Sequence, residues 1–201
     1  TINNGVTKVD LRLEPADAVF VIFKNKAVKM DVKVPVKTEN TLTTLNGDWT
    51  INFQKDRGAP ASVKINDLNS LTENTNTGVK YFSGTANYIK SINAPAQWFK
   101  KGMATWLDLG DVKNLAEVVV NGKSVGIIWK KPFRADISSA LKPGKNTLEV
   151  KVTNLWVNRI IGDAQPDVTQ KYTYTTWDFY NAKSPLLPSG LLGPVKIVAV
   201  K

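Results

Sequence analysis

The chain has 201 residues, 27 Lys and Arg against 17 Asp and Glu, a formal charge of +10, and neither cysteine nor histidine. The two missing residue types exclude a disulfide framework, ordinary zinc sites and every Ser-His or Cys-His nucleophile arrangement. The length suits one generous domain, or a domain with an appendage, whose core needs no staple, and the lack of disulfides leaves the redox compartment open.

In chain order, Val9, Leu11 and Leu13 alternate with Asp10 and Arg12, residues 14–17 turn the chain, and Ala18 to Phe23 is a continuous apolar run; together these predict a hairpin. Val28, Met30, Val32, Val34 and Val36 alternate with Lys29, Asp31, Lys33 and Pro35, an edge strand by its proline. A polar joint at Lys37 to Thr44 precedes Trp49, Ile51 and Phe53, which share one face, with Trp49 expected in the core. Val63 and Ile65 predict a further strand, and Asn66 to Gly78 a long polar loop. Tyr81 to Ile92 reads as a strand with Gly84 as its bulge, and Ala94 to Lys101 as a loop bearing Pro95, Trp98 and Phe99.

Leu115 to Asp163 organises the rest. Ala116, Val118 and Val120 alternate with their neighbours, Asn121-Gly122 follows, and Val125, Ile127 and Trp129 alternate again, predicting a hairpin closed by a type I′ turn. Pairing Val120 with Lys123 sets Val118 opposite Val125 and turns both apolar sets to one face. Phe133, Ala135 and Ile137 form another short run. Ser138 to Leu141 suits a single helical turn stopped by Pro143-Gly144, and Leu148, Val150 and Val152 alternate in a strand that leaves through Asn154-Leu155-Trp156 into a polar loop. Ala164 to Ser184 is irregular and holds Tyr172, Tyr174, Trp177, Phe179 and Tyr180; Pro185 to Pro194 is a rigid Pro/Gly segment and Val195 to Val200 a closing strand. No helix beyond a turn or two and no internal repeat is expected.

The charge does not single out nucleic acid. Lysines fall singly, as at Lys64, Lys90, Lys151 and Lys196, the densest pairs are Lys100-Lys101 and Lys130-Lys131, and no recognition motif accompanies them. No apolar run approaches membrane-spanning length. The chain begins TINNG, with neither a starter methionine nor a signal peptide, and is therefore expected to be a fragment.

The strings VNGKSVG and PFRADISSALKPGKNTLEVKVTN, with FSGTA upstream, resemble the sugar-binding domain of glycoside hydrolase family 2, a jelly-roll β-sandwich related to galactose-binding domains. NLWVNRIIGD and PLLPSGLLGPVKI resemble the C-terminal domain of large bacterial glycosidases, particularly family 106 α-L-rhamnosidase-like proteins, in which such a module accompanies a separate catalytic barrel. The resemblance runs from about Leu45 to Val200. It implies an all-β fold, with a galactose-binding-domain-like jelly-roll sandwich over residues 41–201. Residues 1–40 form an N-terminal β-strand segment, either accessory strands or the tail of a preceding β-domain, since DLRLEPADAVFVIFKN is like a segment that closes such a domain in those enzymes.

Glycoside hydrolysis needs two carboxylates at a fixed separation across the sugar. Asp163, Asp167 and Asp178 lie in the aromatic-rich region, but beside Arg159 and Lys171 they read more simply as ion pairs pinning irregular backbone, so no catalytic residue is assigned. The resemblance implies a structural calcium ion in some relatives, with no ligand nameable here. Sugar binding needs a flat aromatic and a few polar groups on loops held by a rigid scaffold. The candidates are Trp98, Trp156 and Trp177, with Asn154, Asn158, Arg159 and Asp163 as polar partners. Against these stand two structural readings, that a tryptophan in an all-β domain belongs to the core and that Arg159 is a tether to Asp163 ordering the loop for docking.

The expected function is that of a non-catalytic C-terminal ancillary domain of an exported, α-L-rhamnosidase-like glycoside hydrolase. Its site set is Trp156, Asn158, Arg159, Asp163, Trp177 and Trp98, and its partner is a plant or bacterial carbohydrate or the catalytic domain of the same chain. Neither nucleic acid nor a membrane span is expected, and the domain is expected to be monomeric and periplasmic or extracellular. An autonomous lectin-like module and a purely structural spacer, the latter with an exposed apolar patch, are the two alternatives.

Overall fold

The computed structural model describes residues 1–33 and 36–201. Strands β1 (Ile2–Asn3) and β2 (Val6–Thr7) make a small hairpin. After β3 (Glu39–Thr44), β4 (Trp49–Phe53) and β5 (Ser62–Ile65) come a 3₁₀ turn at Leu71–Glu73, the single-turn helix α1 (Thr77–Lys80) and the long β6 (Thr85–Ala94). A second 3₁₀ turn at Ala96–Trp98 leads to β7 (Ala104–Asp108), β8 (Asp111–Lys113), β9 (Leu115–Val120), β10 (Lys123–Ile128), β11 (Arg134–Asp136) and β12 (Gly144–Thr153). Helix α2 (Val157–Asp163) and an irregular stretch precede β13 (Gly190–Gly193) and β14 (Lys196–Val200).

Two antiparallel sheets make the sandwich. One runs β10-β9-β12-β6-β4-β5, the other β11-β7-β14-β3, and β13 pairs separately with β8. The alternation seen in the sequence decides what lies between them: Trp49, Ile51, Tyr88, Val118, Leu148, Val150 and Val152 from the larger sheet meet Leu107, Ala135 and Ile197 from the smaller in one buried cluster. Each fully buried aliphatic side chain contributes roughly 1.5–3 kcal/mol. The ten-pair ladder between β12 and β6, from Gly144 opposite Ala94 to Thr153 opposite Thr85, forms the spine of the larger sheet. Tyr88 ends inside this core, its hydroxyl accepting from the Leu191 amide at 3.2 Å, and burial pushes its pKa up so that it stays protonated.

The central hairpin has the expected turn, with Val120 opposite Lys123 and positive φ at both Asn121 (52°) and Gly122 (78°). Its register departs from expectation. A bulge between Ser124 and Gly126 puts Val118 opposite Gly126 rather than Val125. The extra residue flips the remainder of the strand, so Val125 and Ile128 pack on the core while Ile127 and Trp129, each 65% exposed, point outward.

Three further expectations are corrected. The loop 66–78 is locally structured, because Ser70 Oγ accepts from the Thr72 amide and Asn76 Oδ1 from the Val79 amide, both at 3.3 Å, capping short helical turns that bury Leu71 and Val79. Gly84 precedes β6 rather than bulging it. Neither the hairpin over Val9 to Phe23 nor the strand over Val28 to Val36 forms among the described residues; Val34 and Pro35 of the latter lie outside them. Their apolar side chains have no sheet beneath them, with Phe20 91% and Val28 100% exposed, and a two-stranded ribbon without a packed face is not stable in water.

Candidate functional site

The chain leaves β12 through Asn154, whose side chain fixes the exit. Its Oδ1 accepts from the Gly84 amide at 2.8 Å, while Nδ2 donates to the Phe82 carbonyl at 2.8 Å and to Ser189 Oγ at 2.6 Å. The buried Ser83 hydroxyl donates to the Leu155 carbonyl at 2.8 Å and accepts from the Arg159 amide at 3.2 Å. The segment after β12 is therefore anchored at both backbone and side chain, and it winds into α2 instead of the expected loop.

Within α2 the spacing of four brings Arg159 and Asp163 together. Arg159 Nε lies 2.9 Å from Asp163 Oδ1, with only 6% and 5% of the two side chains exposed. The contact lies off the direction of a well-aligned hydrogen bond, so the attraction is mainly that of the ion pair. Asp163 Oδ2 accepts from the Tyr172 amide at 2.8 Å, the Thr173 amide at 2.7 Å and Thr173 Oγ1 at 2.6 Å. A carboxylate so engaged orders the aromatic-rich stretch and has little capacity left for chemistry. Asn158 clamps the following segment through both ends of its amide: Nδ2 donates to the Leu187 carbonyl at 2.8 Å and Oδ1 accepts from the Leu187 amide at 2.9 Å. Gln165 Nε2 donates to the Ile161 and Ala182 carbonyls at 3.1 Å.

These tethers hold up an aromatic surface. Trp177 and Phe179 are 68% and 77% exposed and tilt against each other with centroids 6.2 Å apart. Tyr174 is exposed nearby in sequence, and the half-exposed Trp156 is covered on one face by the Arg57 guanidinium at 4.7 Å. Three of the expected site residues are not available to a ligand, the first being Asp163, 5% exposed and engaged by Arg159, Tyr172 and Thr173. Trp98 is 7% exposed, since the 3₁₀ turn at Ala96–Trp98 swings its indole into the core cluster, and Asn158 is spent on the Leu187 backbone. Arg57 was not singled out in the sequence; its partner Trp156 lies about 100 residues away, and no local pattern marks it.

Among the described residues no group of three or more acidic side chains converges on a point. The residues described therefore do not form a carboxylate-rich cage for the calcium ion implied by the resemblance. No helix of the described residues is long and apolar enough to cross a membrane.

Residues 61–181 match the family model described as glycosyl hydrolase 2 galactose-binding domain-like. A rhamnosidase of known structure from Novosphingobium sp. PP1Y shares 45% identity at a TM-score of 0.82, over 86% of this chain and 16% of its own. A protein from Formosa agariphila named as a candidate beta-glucuronidase is 38% identical over a 198-residue alignment, 87% of this chain and 17% of that protein. The β-glucuronidase of Ruminococcus gnavus, at 22% identity and a TM-score of 0.55 over 84% of this chain and 30% of its own, shares the fold. The chain thus spans about a sixth of the length of the first two relatives.

Proposed function

Since the chain belongs to the glycosyl hydrolase 2 galactose-binding domain-like family, we propose that it acts as a non-catalytic ancillary domain of a rhamnosidase-like glycoside hydrolase, docked through its aromatic loop face onto the catalytic domain of the same polypeptide. The carrying observation is that Trp177 and Phe179 stand exposed on backbone pinned from beneath by Asp163 and Gln165. Large apolar side chains left in water on a segment tethered at Thr173 and Ala182 favour an interface, because a partner removes their apolar surface from water. The partner is taken to be the remainder of the polypeptide, because the two relatives carry this domain within chains about six times longer.

On this reading the domain works as a monomer within an exported enzyme, in the periplasm or outside the cell, and carbohydrate reaches it beside the catalytic domain. The test replaces Trp177 and Phe179 by serine in the longer enzyme. Activity and heat resistance of the enzyme should fall while the melting temperature of the isolated 201-residue chain stays put. An enzyme indifferent to the double substitution would refute the docking.

A further inference from the structure

A second region around α2 is built differently. Arg159 is 5% exposed, yet the structure shows no hydrogen bond from its Nη1 or Nη2 to any described residue. Both nitrogens belong to a side chain that lines an open cleft of about 420 Å³, together with Tyr81, Tyr172, Thr77, Gln170 and Asp167. The guanidinium is fixed within this cleft. Tyr81 and Tyr172 flank it at 5.9 Å and 5.2 Å, and a Cβ on Gly162 would come within 2.5 Å of Nη2.

Polar groups this deep in a protein ordinarily have protein partners, and a guanidinium whose two terminal nitrogens reach the cleft without one presents a free edge to a ligand. Asp163 does not occupy that edge, since its Oδ1 faces Nε and its Oδ2 is taken by the Tyr172 and Thr173 donors. What remains is the pair of parallel N–H donors at the end of the fork, which matches the two oxygens of a carboxylate. The cleft is larger than a carboxylate needs and lies within the roughly 300–1,000 Å³ of small-ligand sites. Its aromatic, hydroxyl and amide lining suits a sugar ring: tyrosine faces for C–H groups, Thr77 and Gln170 for hydroxyls, and the exposed Asp167 as an acceptor at the rim.

We propose that this cleft binds a carboxylate-bearing saccharide, with the Arg159 fork holding the carboxylate and the tyrosines bracketing it. The site uses none of the exposed aromatics assigned to docking, so it stands or falls independently of that assignment.

The experiment titrates the 201-residue chain with sodium D-galacturonate, sodium acetate and neutral methyl galactoside, following heat and the Arg159 Nε–H resonance. Galacturonate should bind roughly tenfold more tightly than either of the other two, a gap that the carboxylate and the ring together must supply. Arg159→Lys should abolish that preference. Gln170→Glu, an isosteric change at an exposed residue that leaves the buried pair intact, should weaken galacturonate severalfold by setting one carboxylate against another. Equal binding of methyl galactoside would overturn the role of the carboxylate. Equal binding of acetate would overturn the role of the sugar and assign the fork to an acidic protein side chain. No binding by any of the three, in a chain with an unaltered melting temperature, would remove the site altogether.

Discussion

Asp163 and Arg159 sit one helical turn apart with Nε 2.9 Å from Oδ1, and the far oxygen of Asp163 gathers three donors from Tyr172 and Thr173. One carboxylate therefore couples α2 to a segment nine and ten residues further on. Because both members are dry, removing either strands the other: Asp163→Ala should cost about 3–5 kcal/mol in chemical denaturation. It should also free the backbone near Tyr172 to exchange amide protons. A loss below about 1 kcal/mol would show that water already screens the pair.

Gly122→Val tests the hairpin. The turn position carries φ of 78° with open space around the missing Cβ, so any cost is backbone strain and not collision. We expect a loss of at least about 1 kcal/mol for a β-branched residue there. An unchanged melting temperature would contradict the type I′ geometry.

Two tryptophans separate core from surface. Trp98→Ala should cost about 3–5 kcal/mol by opening a cavity in the cluster between the sheets. Trp177→Ala in the isolated chain should stay within about 0.5 kcal/mol, because the indole rests largely in water. Equal losses would place Trp177 in the fold's own packing.

The acid limb of stability should carry a contribution from Glu39. Arg134 donates through Nη1 and Nη2 to its two oxygens at 2.9 Å each, joining edge strands β11 and β3, and these bonds hold the Glu39 carboxyl below the ordinary range. The folded state thus binds this proton less readily than the unfolded chain. The pair's stabilisation is complete above the unfolded glutamate pKa, near 4.5, and is lost as pH falls through the lower folded value. Glu39 is half exposed, so the effect is at most about 1 kcal/mol. Glu39→Gln should flatten the pH dependence below that range and leave its shape near neutrality unchanged; an identical acid limb would dismiss the pair.

The isolated chain should hydrolyse no aryl rhamnoside or glucuronide. Asp163 is consumed by its tethers to Arg159, Tyr172 and Thr173, which leaves neither oxygen free to act as acid or nucleophile. Turnover that survives purification and disappears on Asp163→Asn or Asp178→Asn would contradict this.

The parts of the fold that sequence reveals are those set by near neighbours. Asn121-Gly122 dictates its own turn, and the alternation of Leu148, Val150 and Val152 needs only a buried face to become the β12 ladder. The bulge at Val125 is not local in that sense; it answers to the packing of Ile128 and leaves no mark but Gly126. Helix α2 was hidden for a related reason. Its first residue follows Trp156, which makes no side-chain cap, and Val, Asn, Ile and Gly are indifferent helix formers, so the turn is held by Ser83 and Leu187 from distant segments. The spacing of Arg159 and Asp163 was the helical signal present. The cleft beside Arg159 was invisible because Tyr81, Gly58 and Thr77 reach it from a distant part of the chain.

The docking claim is tested most directly by amide hydrogen exchange over residues 172–181, measured in this chain alone and within the longer enzyme. Docking predicts that amides near Trp177 and Phe179 exchange freely in the isolated chain and are protected at least roughly tenfold in the enzyme, as expected for a segment whose local opening is suppressed by a partner. Identical exchange in the two would contradict the proposal that this face meets the catalytic domain.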